Sequence, residues 1–268
     1  MKIDGAVAVV TGASRGIGRA TARALHAHGA AIGLIARSGH ELNKLANELG
    51  PGAGVATADV GDRDQVEVAI ARLAESLGPV DILVNNAGIG AYASMLEEAP
   101  DTFERLMRVN YLGAVYATVA VLDSMVFRRR GHIVNVASSA GKLGAPFEAA
   151  YSASKFAVVG MSESLAAEMH PFNIAVSLIN PGPVDTDFTK ARGVPFQRSV
   201  PRPVSPERVA SSIIRAIERN RFEQTIPRWL QSGSVVRAIA PNLYRRGLVR
   251  DSAKDAASLV RRMEERTK

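Results

Sequence analysis

The residue pair best suited to chemistry in this sequence is Tyr151 with Lys155, four positions further along the chain. If the segment is helical, both side chains lie on one face, one turn apart. A free tyrosine has a pKa near ~10 and exchanges protons poorly at neutral pH. An ammonium about 4 Å away, at an effective dielectric of about 20, would favour the phenolate by roughly 4 kcal/mol. Because one pKa unit corresponds to about 1.4 kcal/mol, the pKa of Tyr151 would fall by up to about three units, towards the range of an efficient general acid or base.

The residues before this pair decide between a catalytic device and an accident of spacing. Taken alone, a Tyr and a Lys at this spacing are more often an accident on an exposed helical face. Here an apolar, β-branched run at 133–136 predicts a buried strand, and the small residues at 137–141 predict a turn after it. A strand, a small-residue turn and a helix that carries the pair favour chemistry.

The start of the chain predicts a nucleotide-binding unit. Residues 6–11 are typical of a buried strand, residues 12–18 (GASRGIG) form a glycine-rich turn, and a helix to about residue 28 precedes a second strand at 31–36. This order is the dinucleotide-binding arrangement. The glycines let the backbone approach a pyrophosphate, which rests on the N–H groups at the helix start. The alternative is a turn that is merely tight.

The residues after the second strand indicate which nucleotide is bound. Enzymes for the unphosphorylated cofactor usually place Asp or Glu there, to bind the ribose 2′-hydroxyl. In this chain Arg37 and Ser38 follow the strand, and the first acid is Glu41. Arg15, inside the glycine turn, adds a second guanidinium, and paired guanidiniums suit a 2′-phosphate. The sequence therefore predicts NADP(H), unless both arginines are only solvated surface residues.

The alternation of strand and helix continues and predicts an α/β protein. We expect a single-domain Rossmann fold with a doubly wound parallel sheet of about seven strands and helices on both faces. Asn110 falls inside a long helix, where asparagine is unfavourable unless it points to solvent or has a function. Prolines and cations at 187–204 predict a mobile flap. The remaining strands are expected at 53–58, 80–84, 174–179 and 224–226, and the remaining helices at 38–49, 62–77, 101–128, about 150–169 and 205–219.

Composition excludes several classes of protein. The 268 residues are 47% apolar and 22% charged, as in a soluble globular domain. The chain has no cysteine, and its five histidines form no metal-binding spacing, so disulfides, thiolate chemistry and a metal site are not expected. We expect neither a signal peptide nor an uncharged stretch long enough to span a bilayer, which predicts a cytoplasmic location.

Six motifs, in order, resemble those of the short-chain dehydrogenase/reductase (SDR) family, over about residues 3–228. They are TGASRGIG at 11–18, NNAG at 85–88, Asn110, Ser138, YSASK at 151–155 and PG at 181–182. The resemblance implies an NADP(H)-dependent oxidoreductase that interconverts a carbonyl and a secondary alcohol. The implied catalytic residues are Asn110, Ser138, Tyr151 and Lys155.

The resemblance also implies what each residue does. Tyr151 is the general acid or base, and Lys155 lowers its pKa and holds the nicotinamide ribose. Ser138 hydrogen-bonds the substrate oxygen, and Asn110 anchors a water that leads to Lys155. The expected cofactor-binding residues lie in the glycine turn and at the ends of the strands: Gly12, Ser14, Arg15, Gly16, Ile17, Gly18, Arg37, Asp59, Val60, Asn86, Ala87, Gly88, Tyr151, Lys155, Pro181, Gly182, Val184 and Thr186.

The last forty residues depart from the family's common core, so we divide the chain into a catalytic domain (1–228) and a helical, basic C-terminal extension (229–268). Most of the net charge of +7 lies near this end, because residues 222–268 carry ten Lys and Arg against five Asp and Glu. Pro241 is expected to interrupt it, with a charged helix from about Ser252. It could be a solvated extension, a cover over the pocket or a subunit interface, or a contact with a membrane surface. Nucleic-acid binding is not expected, since no aromatic residues accompany the charge.

The class of substrate is predicted from the positions of the pocket residues, and the oligomeric state is implied by the resemblance to the SDR family. The expected pocket residues are mostly apolar and favour a lipophilic carbonyl or alcohol: Ile89, Tyr92, Leu143, Phe147, Phe188 and Phe196. The family's usual contacts, along the helices that hold Asn110 and Tyr151, imply a homodimer or homotetramer. A second class of function stays open, namely a nucleotide-binding module that senses redox state or recruits partners without turnover.

Overall fold

The computed structural model describes residues 1–188 and 201–266. Within them the chain forms a seven-stranded sheet in the order β3-β2-β1-β4-β5-β6-β7, in which all neighbours are parallel. The predicted α/β Rossmann fold is confirmed. The strands are β1 Val7–Thr11, β2 Ala31–Ala36, β3 Ala53–Thr57, β4 Ile82–Asn85, β5 Gly131–Val136, β6 Ile174–Pro181 and β7 Glu223–Ile226.

Helices cover both faces of this sheet. Successive strand residues point to opposite faces, so Val10 joins one core with the helices α1, α2 and α7, while Val9 joins the other with α3 and α5. The helices are α1 Gly16–Ala27, α2 Gly39–Leu49, α3 Arg63–Leu77, α4 Pro100–Leu106, α5 Gly113–Arg128, α6 Ala149–Met169, α7 Pro206–Glu218, α8 Gln231–Ile239 and α9 Pro241–Arg266.

The order of the strands places a crevice at one edge of the sheet. From β1 the chain moves outward through β2 and β3, then returns to β4 on the other side of β1. The connections after β1 and β4 therefore diverge, and a gap opens between them at the carboxyl ends of the strands. In open α/β sheets such a switch point is where ligands bind.

The helix predicted at 101–128 is continuous but not uniform. α4 and α5 are joined by a π-helical turn, Met107–Leu112, which contains Asn110. The expectation that charges interrupt every candidate membrane span was wrong for this helix. Pro100–Arg128 is long and apolar enough to cross a membrane, by length and composition alone: an 18-residue window within it has a mean hydropathy of 1.4, and 39% of that window is buried inside the fold. Its apolar residues serve the core, since Ala117, Val121 and Met125 pack in the cluster with α3.

The C-terminal extension is helical, but its boundaries differ from the prediction. As predicted, the extension is interrupted at Pro241: α8 ends at Ile239, Ala240 is not helical, and Pro241 is the first residue of a new helix, α9. This last helix begins eleven residues before the predicted start at Ser252 and runs to Arg266. Proline is tolerated in the first turn of a helix, because the N–H groups there have no partner within the helix.

Much of the predicted flap, residues 189–200 including Phe196, lies outside the described residues. The part that follows is ordered against the sheet, because Val204 is 8% exposed and forms a β-bridge with Val184. Ser205 then caps α7 as predicted, its Oγ accepting a hydrogen bond from the Arg208 N–H at 3.3 Å.

Candidate active site

Hydrogen bonds between the ends of β1 and β4 hold the crevice in shape. The buried Thr11 hydroxyl accepts from the backbone N–H groups of Asn86 and Ala87 at 3.0 and 3.1 Å. The Asn86 Nδ2 donates in return to the carbonyls of Thr11 and Gly12 at 3.0 and 3.2 Å. The NNAG segment and the glycine turn are therefore one rigid unit. Thr11 was quoted only as part of a motif, and its role follows from its position at the end of a strand.

Three positions in the glycine turn have no room for a side chain. Gly12 and Gly16 have positive φ angles of 65° and 55°, a region that L-residues avoid. A Cβ on Gly18 would lie 2.2 Å from the carbonyl oxygen of Gly12. The backbone of the turn is therefore open to a ligand, as the pyrophosphate of a dinucleotide requires.

A cavity of about 2240 Å³ extends from this turn across the edge of the sheet. We call it the main cavity. Gly18 and Asn110 do not line it; Gly18 lies behind the turn, and Asn110 is only 2% exposed. All other predicted site residues line it: Gly12, Ser14, Arg15, Gly16, Ile17, Arg37, Asp59, Val60, Asn86, Ala87, Gly88, Ser138, Tyr151, Lys155, Pro181, Gly182, Val184 and Thr186.

The two cations that were predicted to bind phosphate lie at the end of the main cavity next to the glycine turn, which we call the nucleotide end. Arg15 and Arg37 are both exposed there, and the Arg37 side chain, 72% exposed, has Nη1 3.9 Å from an Asp59 carboxylate oxygen. The nearby Glu41 is paired with Arg19, which donates to its Oε2 at 2.5 Å and also to the Ser14 carbonyl. Sequence reasoning missed Arg19, although its place one residue after the turn was a usable signal.

Lys155 is the most deeply buried charged group of the site. Its side chain is 4% exposed and its Nζ donates to the Val136 carbonyl at 3.0 Å. The same Nζ lies 6.0 Å from the centre of the Tyr151 ring, and this ring lies 5.8 Å from that of Phe188. The helix α6 thus puts Tyr151 and Lys155 on one face, as their spacing predicted.

Burial also changes the acidity of this lysine. Removal from water lowers the pKa of Lys155 from its ordinary 10.5 to about 8. At pH 7 the side chain is therefore still mostly cationic, and it loses its charge above pH 8. A cation beside Tyr151 is available at neutral pH but not in alkali.

Asn110 is held by three hydrogen bonds and does not point to solvent. Its Oδ1 accepts from the Ile89 N–H at 2.8 Å, while its Nδ2 donates to the Ile89 carbonyl and to the Ser154 Oγ, both at 2.9 Å. A Cβ built on Gly88 would lie 3.2 Å from Asn110 Oδ1 and 3.5 Å from Lys155 Nζ. Asn110 and Lys155 thus both lie close to Gly88, and the π-helical turn, a feature frequent at functional sites, carries Asn110 into this position.

Ser138 presents a hydroxyl that is oriented by the backbone. It precedes a short 3-10 turn, Ser139–Gly141, and its Oγ accepts from the Ala140 N–H at 3.1 Å. Since that bond uses a lone pair, the hydroxyl hydrogen is free to donate to a ligand in the main cavity. The turn packs tightly on α6, because a Cβ on Gly141 would lie 2.7 Å from the Lys155 carbonyl oxygen. Ser138 and Lys155 are therefore fixed relative to each other.

The remaining walls of the main cavity combine predicted and unforeseen residues. Of the expected apolar residues, Ile89, Tyr92, Leu143 and Phe188 line it, and Phe147 stacks on Tyr92 with ring centres 5.8 Å apart. The C-terminal extension supplies a further wall, which sequence analysis left as one of several alternatives: Leu230, Tyr244, Gly247, Leu248, Arg250 and Asp251.

The site combines two features that match a known family. One is the strand–turn–helix with its three required glycines, and the other is the Ser–Tyr–Lys group at the same edge of the sheet. A family model described as short chain dehydrogenase matches residues 6–194. The chain belongs to the short-chain dehydrogenase family. Members of this SDR family are oxidoreductases that use a nicotinamide cofactor and act on hydroxyl or keto groups of small molecules.

Two curated SDR proteins show how similar this chain is to its relatives in sequence. The Bos taurus dehydrogenase/reductase SDR family member 7B is 33% identical over 273 residues, which covers 96% of this chain and 84% of the relative. The 3-dehydrosphinganine reductase of Danio rerio is 39% identical over 236 residues, covering 83% of this chain and 71% of the relative. Reductases are therefore among the relatives.

Solved SDR structures share the fold. A Burkholderia phymatum SDR in complex with NAD aligns with a TM-score of 0.83 and 27% identity, over 91% of this chain and 96% of that one. An alcohol dehydrogenase from Thermococcus sibiricus, complexed with 5-hydroxy-NADP, aligns with a TM-score of 0.74 and 30% identity, over 82% and 95%. Neighbours of this fold thus bind both forms of the cofactor, and the choice made by this chain depends on its own residues.

Proposed function

We propose that this SDR protein is an NADP(H)-dependent oxidoreductase that interconverts a carbonyl and a secondary alcohol on a lipophilic substrate. The observation that carries the proposal is the main cavity, which joins the glycine turn, the Ser138–Tyr151–Lys155 group and an apolar wall in one space. A nicotinamide nucleotide fits this space, because Gly12 and Gly16 line it with bare backbone at the start of α1, where a pyrophosphate can approach the N–H groups.

The bound nicotinamide supplies the hydride, and the side chains of this chain supply position and a proton. In the reductive direction, the hydroxyl of Ser138 donates to the carbonyl oxygen of the substrate and polarises it. Tyr151 then gives its phenolic proton to the same oxygen. Lys155, cationic at pH 7, stabilises the negative charge left on the phenol. Asn110 keeps Ile89 and Ser154 in place around this group.

The preference for NADP(H) rests on charge at the nucleotide end of the main cavity. Arg15 and Arg37 are exposed there, and Glu41 is engaged by Arg19. Asp59 accepts from the Gly61 N–H through Oδ1 at 2.9 Å, and its Oδ2 lies 3.9 Å from Arg37 Nη1, a long contact on an exposed arginine that a phosphate would replace. A hydrogen bond to a charged group contributes about 1.5–3 kcal/mol, so loss of one guanidinium from a phosphate should weaken binding roughly ten- to a hundredfold.

The cofactor test compares NADPH and NADH on the purified protein. Wild type should bind NADPH more tightly, and Arg37→Asp should lose that preference while it keeps its affinity for NADH. Arg72→Asp, an exposed arginine on α3 outside the main cavity, is the matched control. Equal affinity of wild type for both nucleotides would mean that Arg37 only faces solvent.

Tyr151→Phe separates an enzyme from a sensing or recruiting module. It removes the proton donor but keeps the ring that lies against Phe188. We expect a loss of turnover of about a hundredfold or more, with NADPH affinity unchanged. If wild type binds NADPH but reduces no ketone in a panel of chain and ring ketones, the module becomes the better explanation.

The lipophilic substrate can be tested by filling the apolar end of the main cavity. Gly247 lies on α9, lines this end, and has no heavy atom within 4 Å of the position that its Cβ would take. Gly247→Leu should place four carbons in the space and favour the helix by up to about 1 kcal/mol. We expect a higher KM for 2-decanone and an unchanged KM for acetone. An equal effect on both ketones would contradict a substrate that extends along this wall.

We further propose that the protein forms a homodimer or homotetramer through the face of α5 and α6. Val119 and Phe127 on α5 are 56% and 91% exposed, and a subunit interface along this helix would cover both. Phe127→Glu should shift the mass measured by light scattering towards the monomer. A wild-type protein that is monomeric at micromolar concentration would overturn this proposal.

A further inference from the structure

One face of α9 forms the distal wall of the main cavity. Tyr244, Gly247, Leu248 and Asp251 line it, and their spacing of three, four and seven residues is that of a single helical face; Arg250 reaches the cavity from the edge of this face. Their neighbours Leu243 and Val249 point outward and are 63% and 62% exposed. The side of α9 that carries Tyr244 therefore faces the main cavity, and the side that carries Leu243 and Val249 faces solvent.

Direct contacts of the preceding segment fix this wall. Arg237 on α8 donates to the Lys142 carbonyl at 2.6 Å, and its guanidinium lies 5.1 Å from the centre of the Phe156 ring. A Cβ on Gly233 would lie 2.7 Å from a methyl group of Leu143, so α8 approaches this loop closely. The extension is thus anchored to the turn after β5 and to α6, which carry the catalytic group.

The Tyr244 hydroxyl is the unusual atom of this wall. It is buried and has no hydrogen-bond partner among the residues that the structure describes, although almost all buried polar atoms have one. Burial raises the pKa of Tyr244, with a smaller opposing effect from Arg237, so the phenol stays neutral and can both donate and accept. The Tyr244 side chain lines the main cavity, while its hydroxyl oxygen is enclosed beside it; a ligand bound against this side chain is the group that can supply the missing partner.

We propose that Tyr244 is a specificity-determining residue, which hydrogen-bonds a second polar group of the substrate at the end remote from the reacting carbonyl. This inference rests on the proposed function and narrows the substrate class. The substrate has an apolar body, which matches Ile89, Leu143 and Leu248, and a hydroxyl group at the distal end. Substrates that lack this hydroxyl leave the phenol unpaired and bind less tightly.

The experiment compares matched ligands on the protein saturated with NADP⁺, where ketones bind without reduction. The probes are 2-alkanones of eight to twelve carbons and the same ketones with a terminal hydroxyl. Dissociation constants are measured by calorimetry, and Trp229, the one tryptophan of the sequence and the neighbour of Leu230, adds a local fluorescence signal. Several chain lengths are needed, because the length of the probe sets the distance between its carbonyl and its terminal hydroxyl.

For at least one chain length, wild type should bind the hydroxylated ketone roughly fivefold more tightly than its parent. Tyr244→Phe should lose that preference and keep its affinity for the parent ketone. Tyr116→Phe, on α5 and packed in the core with α3, should behave as wild type. No preference in wild type at any length, or a preference that persists in Tyr244→Phe, would overturn the proposal.

Two further readouts separate this inference from the function on which it rests. NADPH oxidation with the parent ketones tests the oxidoreductase alone; selective binding without turnover would leave Tyr244 as proposed and remove the reductase. The unfolding temperature tests a structural role. Because the hydroxyl has no protein partner, Tyr244→Phe should unfold at the same temperature as wild type or higher. A clear decrease would show that the hydroxyl supports the fold instead.

Discussion

Replacing Lys155 by methionine should make the protein more stable and inactive. The lysine is 4% exposed, and its pKa falls from 10.5 to about 8 on burial. At about 1.4 kcal/mol for each pKa unit, the charged side chain destabilises the cofactor-free fold by about 3 kcal/mol at pH 7. Methionine fills a similar volume without charge but leaves the Val136 carbonyl unpaired, at a cost of about 1–2 kcal/mol. The expected net gain is about 1–2 kcal/mol.

The pH dependence gives a sharper test than the gain itself. Between pH 8 and 10.5 the unfolded chain binds more protons than the folded chain, so this lysine makes wild-type stability rise with pH in that window. In Lys155→Met the rise is absent. The stability difference between the two proteins should therefore change by about 2.5 kcal/mol in favour of wild type from pH 7 to pH 10.

Urea unfolding of both cofactor-free proteins at several pH values measures this difference, and subtraction cancels the other titrating groups. Lys44→Met, at an exposed position of α2, is the control and should show no such trend. A difference between wild type and Lys155→Met that stays constant from pH 7 to pH 10 would refute the reasoning, since Lys155 would then titrate alike in both states. Loss of ketone reduction in Lys155→Met shows that the buried charge serves activity at the expense of stability.

Three further predictions follow from buried positions. His132 is fully buried, and burial lowers its pKa to about 3, so the fold favours the neutral imidazole. Wild type should therefore lose about 2 kcal/mol of unfolding free energy from pH 7 to pH 5. His132→Gln should lose less in urea unfolding, and equal losses in the two proteins would contradict this. Gly18→Ala, whose methyl would meet the Gly12 carbonyl, should weaken NADPH binding at least about tenfold by fluorescence titration, whereas Gly160→Ala, in open space on α6, should not. Asn110→Leu, which unpairs the Ile89 backbone, should destabilise the fold by about 2–4 kcal/mol in the same unfolding assay, and a neutral result would exclude the role given to its amide.

Local patterns in the sequence predicted the fold and the location of most of the site. Buried strands such as β1 and β5 are short apolar runs. Gly12 and Gly16 have positive φ angles, which is a local backbone requirement that favours glycine. Tyr151 and Lys155 share a face because the spacing of a helix requires it. The cytoplasmic location and the division of the chain at residue 228 stay predictions.

Other features depend on contacts between distant segments and have no local signal. The π-helical turn that carries Asn110 inward is fixed by bonds to Ile89 and Ser154, 21 and 44 residues away in sequence. The burial that lowers the pKa of Lys155 comes from packing against the turn after β5. The start of α9 at Pro241, eleven residues before the predicted start at Ser252, has no clear local signal, because a proline alone does not distinguish a helix start from a break.

Two parts of the protein can change independently. One is the group around Lys155, on whose backbone Gly141 packs tightly, and the other is the wall made by α8 and α9. Ser138 and Lys155 are fixed relative to each other and to the sheet, so a substitution at either position disturbs the other. The distal wall is held through Arg237 and Gly233 at its near end, and its cavity face repeats along a helix. If the proposed function is correct, new substrate preferences can arise by exchange of residues on one face of α9 while the proposed chemistry at Tyr151 stays the same.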